Sequence, residues 1–377
     1  MVYRSLRVEQ IKQAWSSRSI VWLSGVRRVG KTTLAKMLND EELVYRNCDL
    51  PSVVRELNDP ELFLSSLAES NFVVLDEVHQ LPDPSTLLKI AADEHPDKKI
   101  LATGSSTLAA TEKFRDSLTG RKLSIHLCPV LWEECSSTFD IHDLDRRLLR
   151  GGLPEPLLAS DFNESFYREW FDSFYARDIA ELFQLRNRTG FMTLFHLLLH
   201  QSGGQLDYTR LSKESGLSRP TVGSYLEALI ISHAIQLVSP FHAGGRGEIL
   251  RRPKCYAFDT GFVCWERGWD SIRESDRGIL SEHLVLDALR YRYSPDRVLY
   301  WRDKSGKEID FVVPGRGNVV DLYECKMNPD NLELDPIRAF RSRYPKGSNF
   351  VVSPFFTNPY RFSREEFVFE ATSLQPS

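Results

Sequence analysis

Three short runs hold residues whose types and spacing could do chemistry. The first is "GVRRVGKTT", where Gly25 and Gly30-Lys31-Thr32 are spaced as in a phosphate-binding loop. Its glycines let backbone N–H groups wrap phosphate oxygens, and a helix that follows adds its positive end. The loop Gly25, Val26, Arg27, Arg28, Val29, Gly30, Lys31, Thr32 and Thr33 is therefore the expected ATP contact. Lys31 would reach the β- and γ-phosphates, and Thr32 would hold Mg²⁺. The second run is "NFVVLDEVHQL", four apolar residues ending in Asp76-Glu77. Asp76 would bind Mg²⁺ through water, and Glu77 would polarise the attacking water.

The third run is split between "KEIDFVV" and "VVDLYECK". Asp310 lies on one apolar segment, and Glu324 and Lys326 lie two apart on the next. Residues two apart on a strand share a face. Carboxylates gathered in one cleft repel unless a hard cation such as Mg²⁺ or Mn²⁺ lies between them. The expected set is Asp310 and Glu324 on a metal, completed by Glu282 of a preceding helix either as a direct ligand or one step removed, with Lys326 positioning the attacking water or stabilising developing charge. That is nuclease-like chemistry. The pattern is short, and an inert docking module with the same residues is the alternative.

The elements that position these groups follow from pattern. Strand-like runs at 19–24, 43–48, 72–76, 99–104 and 123–128 alternate with helical ones, which predicts a parallel α/β sheet. The run at 99–104 ends in small polar residues, so Ser105 is expected at the γ-phosphate or the water, with Ser106 its competitor. In "FYREWFDSFYARDIAELFQL", Phe171, Phe174, Tyr175, Ile179 and Leu182 recur at helical spacing. Arg177 is either a lid arginine or half of a surface ion pair with Asp178.

"LDYTRLSKESGLSRPTVGSYLEALIISHAI", residues 206–235, reads as helix–turn–helix. Gly216 closes the first helix, Ser218 caps the second, and Pro220 fits its first turn. Val222, Tyr225, Leu226, Leu229 and Ile230 form the expected buried stripe, which leaves Arg219, Thr221, Ser224 and Glu227 outside. A two-stranded wing with a Gly-rich tip follows. Residues 205–254 hold seven Lys/Arg and four Asp/Glu, an excess of three that permits DNA contact without requiring it. Past residue 263 a helix, three antiparallel strands, a helix and a strand give the order of a restriction-endonuclease-like core.

The chain resembles a family of AAA+-like ATPases over nearly its whole length. "GVRRVGKTTL", "LDEVHQLPDPSTLLKIAADE", "LATGSS", "LTGRKLSIHLCPVLWEE", "GGLPEP", "YARDIAEL" and "KCYAFDTGF" occur in that family's order. In the family an N-terminal ATPase is joined to a C-terminal half described only as a domain of unknown function. The resemblance implies an ATP-binding AAA+ core, a winged helix and a restriction-endonuclease-like domain. It also gives Arg121, just ahead of the fifth strand, two readings: an arginine finger for a neighbour's nucleotide, or a surface arginine.

The totals set bounds. At 377 residues the chain exceeds one core, and the expected division is 1–152, 153–204, 205–262 and 263–377. With 42% hydrophobic and 27% charged residues it reads as globular rather than disordered. Six cysteines without a CxxC pair argue against a zinc site or disulfide frame and point to a cytoplasmic protein. No apolar run spans a membrane. The net charge of −4 excludes a global field for nucleic acid, so any DNA surface is local. The expectation is an α/β multidomain ATPase that uses ATP and Mg²⁺, with DNA the favoured partner and a homo-oligomer a candidate assembly. The alternatives are a nucleotide-gated switch for protein partners and an ATP-gated metal nuclease.

Overall fold

A computed structural model describes residues 2–38, 43–67, 72–104, 112–180, 183, 187–242, 252–356 and 358–373. Its first sheet is parallel: β1 (Ile20–Ser24), β2 (Leu43–Asn47), β3 (Phe72–Asp76), β4 (Lys99–Thr103) and β5 (Lys122–His126), in the order β2-β3-β4-β1-β5. All five residues of β1 are buried, as a continuous apolar strand covered on both faces must be. Alternation divides the two faces. Ile20, Trp22, Val73, Leu75, Ile100 and Ala102 join the core beneath Leu87, Leu88 and Phe114. Val21, Leu23, Val74 and Leu101 pack with Val8, Ile11 and Trp15 of the helix Ser5–Ser17. The chain leaves β1, runs to the far edge at β2, and returns through β3 to β4, so the ends of β1, β3 and β4 adjoin where a doubly wound sheet places its ligand.

The helix Glu164–Phe174 runs on into a single wide π-turn, Tyr175–Ala180. Phe171, Phe174 and Tyr175 pack against Phe191 and Phe195 of the helix Arg188–His200, Ile179 is buried, and Leu182 lies outside the described residues. Helices Tyr208–Ser215 and Arg219–Ile231 meet at Gly216, which is left-handed at φ 68°. The Ser218 hydroxyl accepts from Thr221 N–H at 3.3 Å. Val222, Tyr225, Leu226 and Leu229 are buried. Ile230 is 37% exposed, because Ala228 takes the inward position at that turn. Arg219, Ser224 and Glu227 face solvent, whereas Thr221 is half-buried. Strands β6 (Gly204–Gln205), β7 (Ile235–Val238) and β8 (Lys254–Ala257) form a small antiparallel sheet in the order β6-β8-β7. The expected Gly-rich tip falls largely on residues 243–251, outside the described ones.

The C-terminal sheet has six strands in the order β13-β14-β12-β11-β10-β9. They are β9 (Leu299–Arg302), β10 (Glu308–Pro314), β11 (Val320–Cys325), β12 (Asn349–Val352), β13 (Tyr360–Arg364) and β14 (Phe367–Thr372). Strands β9 to β11 are antiparallel, and β12 lies parallel to β11. The helices Glu274–Arg292 and Leu334–Arg341 accompany this sheet. Among the described residues no helix is long and apolar enough to cross a membrane.

Two of the sequence runs carry a structural joint. Gly151 of "GGLPEP" is left-handed at φ 76°, and a Cβ there would overlap the Asp259 carboxylate of "FDTGF". That carboxylate accepts from Gly152 N–H at 2.6 Å and Gly261 N–H at 2.8 Å, and it is 3% exposed. Gly151→Ala must therefore break the joint or move it. A loss on the order of 3 kcal/mol is expected, read as a lowered melting temperature.

Candidate nucleotide site and the acidic centre of the C-terminal sheet

The loop after β1 needs its glycines. Gly25 (φ 153°) packs so closely that a Cβ would fall 2.5 Å from the Leu127 carbonyl oxygen, and Gly30 stands at φ 100°. Arg28 and Glu77 are also left-handed, at φ 61° and 58°. Such backbone strain in non-glycine residues gathers at ligand sites. The Lys31 ammonium donates to the Gly25 and Val26 carbonyls at 2.8 and 3.2 Å. Burial lowers its pKa, against the opposing charges of Glu77 and Asp178.

Asp76 ends β3 with both oxygens engaged. One accepts from the Thr103 hydroxyl at the tip of β4, the other from Tyr45 OH of β2 at 2.7 Å. Thr103 also accepts from Glu77 N–H at 3.0 Å, so one buried hydroxyl holds both acids. Burial would raise the Glu77 carboxyl, but His79 at 3.2 Å and the Lys31 ammonium hold it below the ordinary range. The donor set suits Mg²⁺: the Thr32 hydroxyl and the Asp76 carboxylate are hard oxygens. Tyr45 and Thr103 escape a search for charged motifs. Their only signal is a polar group at or near the carboxyl end of a strand flanking β3. Because Tyr45 fixes the plane of the Asp76 carboxylate, Tyr45→Phe should raise the Mg²⁺ needed for half-maximal hydrolysis by about tenfold. Its melting temperature should stay close to that of the wild type.

The two P-loop arginines turn toward the helical region. Arg27 pairs with Asp178 at 2.8 Å, and Trp170 donates to the Arg27 carbonyl at 3.0 Å. Arg28 stands over the Phe166 ring, 3.6 Å from Glu155 and 3.9 Å from Glu169. Asp178 thus partners the phosphate loop, and the neighbouring Arg177 is exposed. Arg121 is engaged within its own chain, bidentate to Asp93 at 2.6 and 3.0 Å. Ser105 and Ser106 lie outside the described residues.

In the C-terminal sheet, the pairing of Phe311 with Tyr323 continues to set Asp310 beside Glu324, on one face. Cys325 N–H donates to Asp310 at 2.8 Å. Lys326 lies 2.9 Å from Glu324 and 3.8 Å from Asp310. Glu282, from the helix Glu274–Arg292, accepts from Tyr256 OH at 2.8 Å. Two further groups join: Glu308, two residues before Asp310, and Lys254 of β8, which is 2.5 Å from Glu308 and 3.9 Å from Glu282. Burial and carboxylate repulsion push Glu282 and Glu324 upward, while the same acids raise both lysines. Among the described residues no group of three or more His, Cys, Asp or Glu side chains is placed to hold a metal ion. As arranged, these residues do not fit the expected Mg²⁺ or Mn²⁺: ammonium groups stand among the acids. Lys254 and Glu308 gave no sequence signal, since the first is remote in the chain and the second resembles a turn residue.

Three family models match successive parts of the chain. Residues 17–136 match one described as an AAA domain, and residues 141–273 and 277–372 match two domains of unknown function, DUF8612 and DUF4143. The uncharacterised proteins Rv2008c of Mycobacterium tuberculosis and Mb2031c of Mycobacterium bovis are each 26% identical over 322 residues, covering 83% of this chain and 71% of theirs. Among solved structures, a RuvB variant of Thermotoga maritima is similar at TM-score 0.32 and 16% identity, over 63% of this chain and 90% of its own. DnaA of Aquifex aeolicus with bound AMPPCP is similar at TM-score 0.31 and 11% identity, over 60% and 88%. The AAA-domain match and the parallel sheet with its P-loop agree on an AAA+-like ATPase core, which implies ATP as its ligand.

Proposed function

We propose that the chain hydrolyses ATP at this P-loop and uses nucleotide state to move the helical region and the helix–turn–helix against the C-terminal sheet, acting on DNA. The observation that carries this reading is the ion pair between Arg27 and Asp178. It ties a residue of the phosphate loop to a π-turn, an element often found at functional sites. ATP phosphates arriving at Lys31 and the loop N–H groups would compete with Asp178 for positive charge, and the π-turn would feel the change. In this reading Lys31 binds phosphate, Glu77 orients the water, and Thr32 and Asp76 would hold Mg²⁺, which supplies charge neutralisation at the phosphates. Helices Tyr208–Ser215 and Arg219–Ile231 with β7 and β8 act as a winged helix that carries the motion outward.

The test is binding of a duplex DNA, followed by fluorescence anisotropy with and without ATP and Mg²⁺. Phosphate contacts predict a fall in affinity of about tenfold or more between roughly 50 and 200 mM salt. They also predict a dependence on nucleotide. Binding that is absent, or indifferent to salt, favours a second reading: a nucleotide-gated switch for a protein partner, with the endonuclease-like sheet as scaffold. Two observations lean toward it. Arg210 and Arg252 are paired with Glu214 and Asp207, and lysines occupy the acidic centre. A finger role for Arg121 in a homo-oligomer requires it to leave Asp93.

A further inference from the structure

Lys254 belongs to one sheet and serves another. Its strand, β8, is the centre of the small sheet beside the helix–turn–helix. Its ammonium lies between an acid of the C-terminal sheet and one of the helix Glu274–Arg292, touching Glu308 at 2.5 Å and approaching Glu282 at 3.9 Å. The side chain is almost wholly buried, with Tyr300 alongside at 5.5 Å. The adjoining strand residue on the same face, Tyr256, donates to Glu282. Lys326 completes the arrangement from just past the end of β11, against Glu324 and Asp310. One atom is left over. Glu324 is 5% exposed, and its Oε1 has no hydrogen-bond partner. A buried carboxylate oxygen in that condition is costly, and the Asp310 and Glu282 charges act on the same carboxyl, pushing its pKa up together with burial.

The donors explain the arrangement. Four carboxylates, Glu282, Glu308, Asp310 and Glu324, cannot share one buried centre without positive charge between them. A divalent ion would draw three of them to it, each through at least one oxygen at about 2.0–2.6 Å. Two ammonium groups, with the Arg302 guanidinium 3.0 Å from Glu308, offset much of that charge, but each ammonium donates along only three directions and at a longer distance than a metal–oxygen bond. That is the geometry observed, the orphaned Glu324 oxygen included.

We infer that Lys254 is the built-in counter-cation of this centre, standing where a divalent ion would otherwise hold the acids, and that it thereby fastens β8 to β10 and to the helix Glu274–Arg292. The centre is then an electrostatic joint between the helix–turn–helix sheet and the C-terminal sheet. The inference is independent of the ATPase reading, since it concerns no residue of the nucleotide site.

The test uses the full chain without nucleotide. The wild type should melt at the same temperature with EDTA, with Mg²⁺ or with Mn²⁺, and should bind no Mn²⁺ at this centre by electron paramagnetic resonance. Lys254→Met keeps the side-chain length and removes the charge. Its melting temperature should fall by roughly 5–10 °C, because a buried ion pair has lost one partner. Millimolar Mn²⁺ should restore at least half of that fall, with about one more bound equivalent than in the wild type. If Lys254→Met does not fold without metal, the double variant Lys254→Met/Glu308→Gln removes one charge of each sign and should fold without metal. The ATP-dependent stabilisation should persist in the folded variants. Mn²⁺ that binds the wild-type centre, a Lys254→Met variant as stable as the wild type, or a fall that Mn²⁺ leaves untouched would overturn the inference.

Discussion

Lys31→Ala abolishes the rise in melting temperature that ATP and Mg²⁺ give the wild-type chain. At a nucleotide concentration about a hundred times the dissociation constant, binding stabilises the folded state by about 2.7 kcal/mol. All of that should vanish. The Lys31 ammonium is the charged donor at the mouth of the loop, with Gly25 and Val26 carbonyls as its present acceptors. It is half-buried and already held by backbone acceptors, so an incoming phosphate meets a charged donor in place. The glycine geometry around it survives the substitution, and the melting temperature without nucleotide should change little. An ATP-dependent shift that persists undiminished in Lys31→Ala would move the nucleotide elsewhere.

Glu77→Gln loses turnover and keeps binding. A positioned base contributes roughly 10²- to 10⁴-fold, so kcat should fall by about that factor while the ATP-dependent melting shift remains. The amide keeps the size of the side chain, and the Thr103 hydroxyl still accepts from the backbone N–H of residue 77. His79 and Lys31 depress the Glu77 carboxyl despite its burial, so the base stays ionised below the ordinary carboxylate range. The sign follows: for this group, wild-type hydrolysis should hold steady as pH falls toward the ordinary carboxylate pKa and be lost only below it. Turnover unchanged in Glu77→Gln would give the water to another residue.

The inner strands β1, β3 and β4 were legible because they are buried on both faces and read as unbroken apolar runs. "IVWL", "FVVL" and "ILAT" each end within a residue of the strand boundaries. The phosphate loop was legible because only glycine tolerates the close approach at Gly25. Ile230 was misread for a specific reason: the helix Arg219–Ile231 packs with Ala228 inward, and a small residue carries little weight in an apolar stripe. The hairpin β13–β14 went unread. Its strands "YRFSR" and "FVFEAT" lie at the sheet edge with much of their surface exposed, so the pattern resembles a polar tail. The acidic centre was half legible. Glu324 and Lys326 declare themselves by period-two spacing on one strand. Lys254 lies 54 residues from Glu308 and on another sheet, and no local pattern reports a contact made only by tertiary packing.

Nucleotide at the P-loop should be felt at the π-turn Tyr175–Ala180 through Arg27 and Asp178. Hydrogen exchange in Glu77→Gln, with and without ATP and Mg²⁺, tests it most directly, since that variant should hold ATP without consuming it. Amide protection should change across residues 164–180 as well as 25–33, and the change at 164–180 should be lost when Arg27→Ala is added. Protection that changes at 25–33 alone, with 164–180 unaffected by nucleotide, would contradict it.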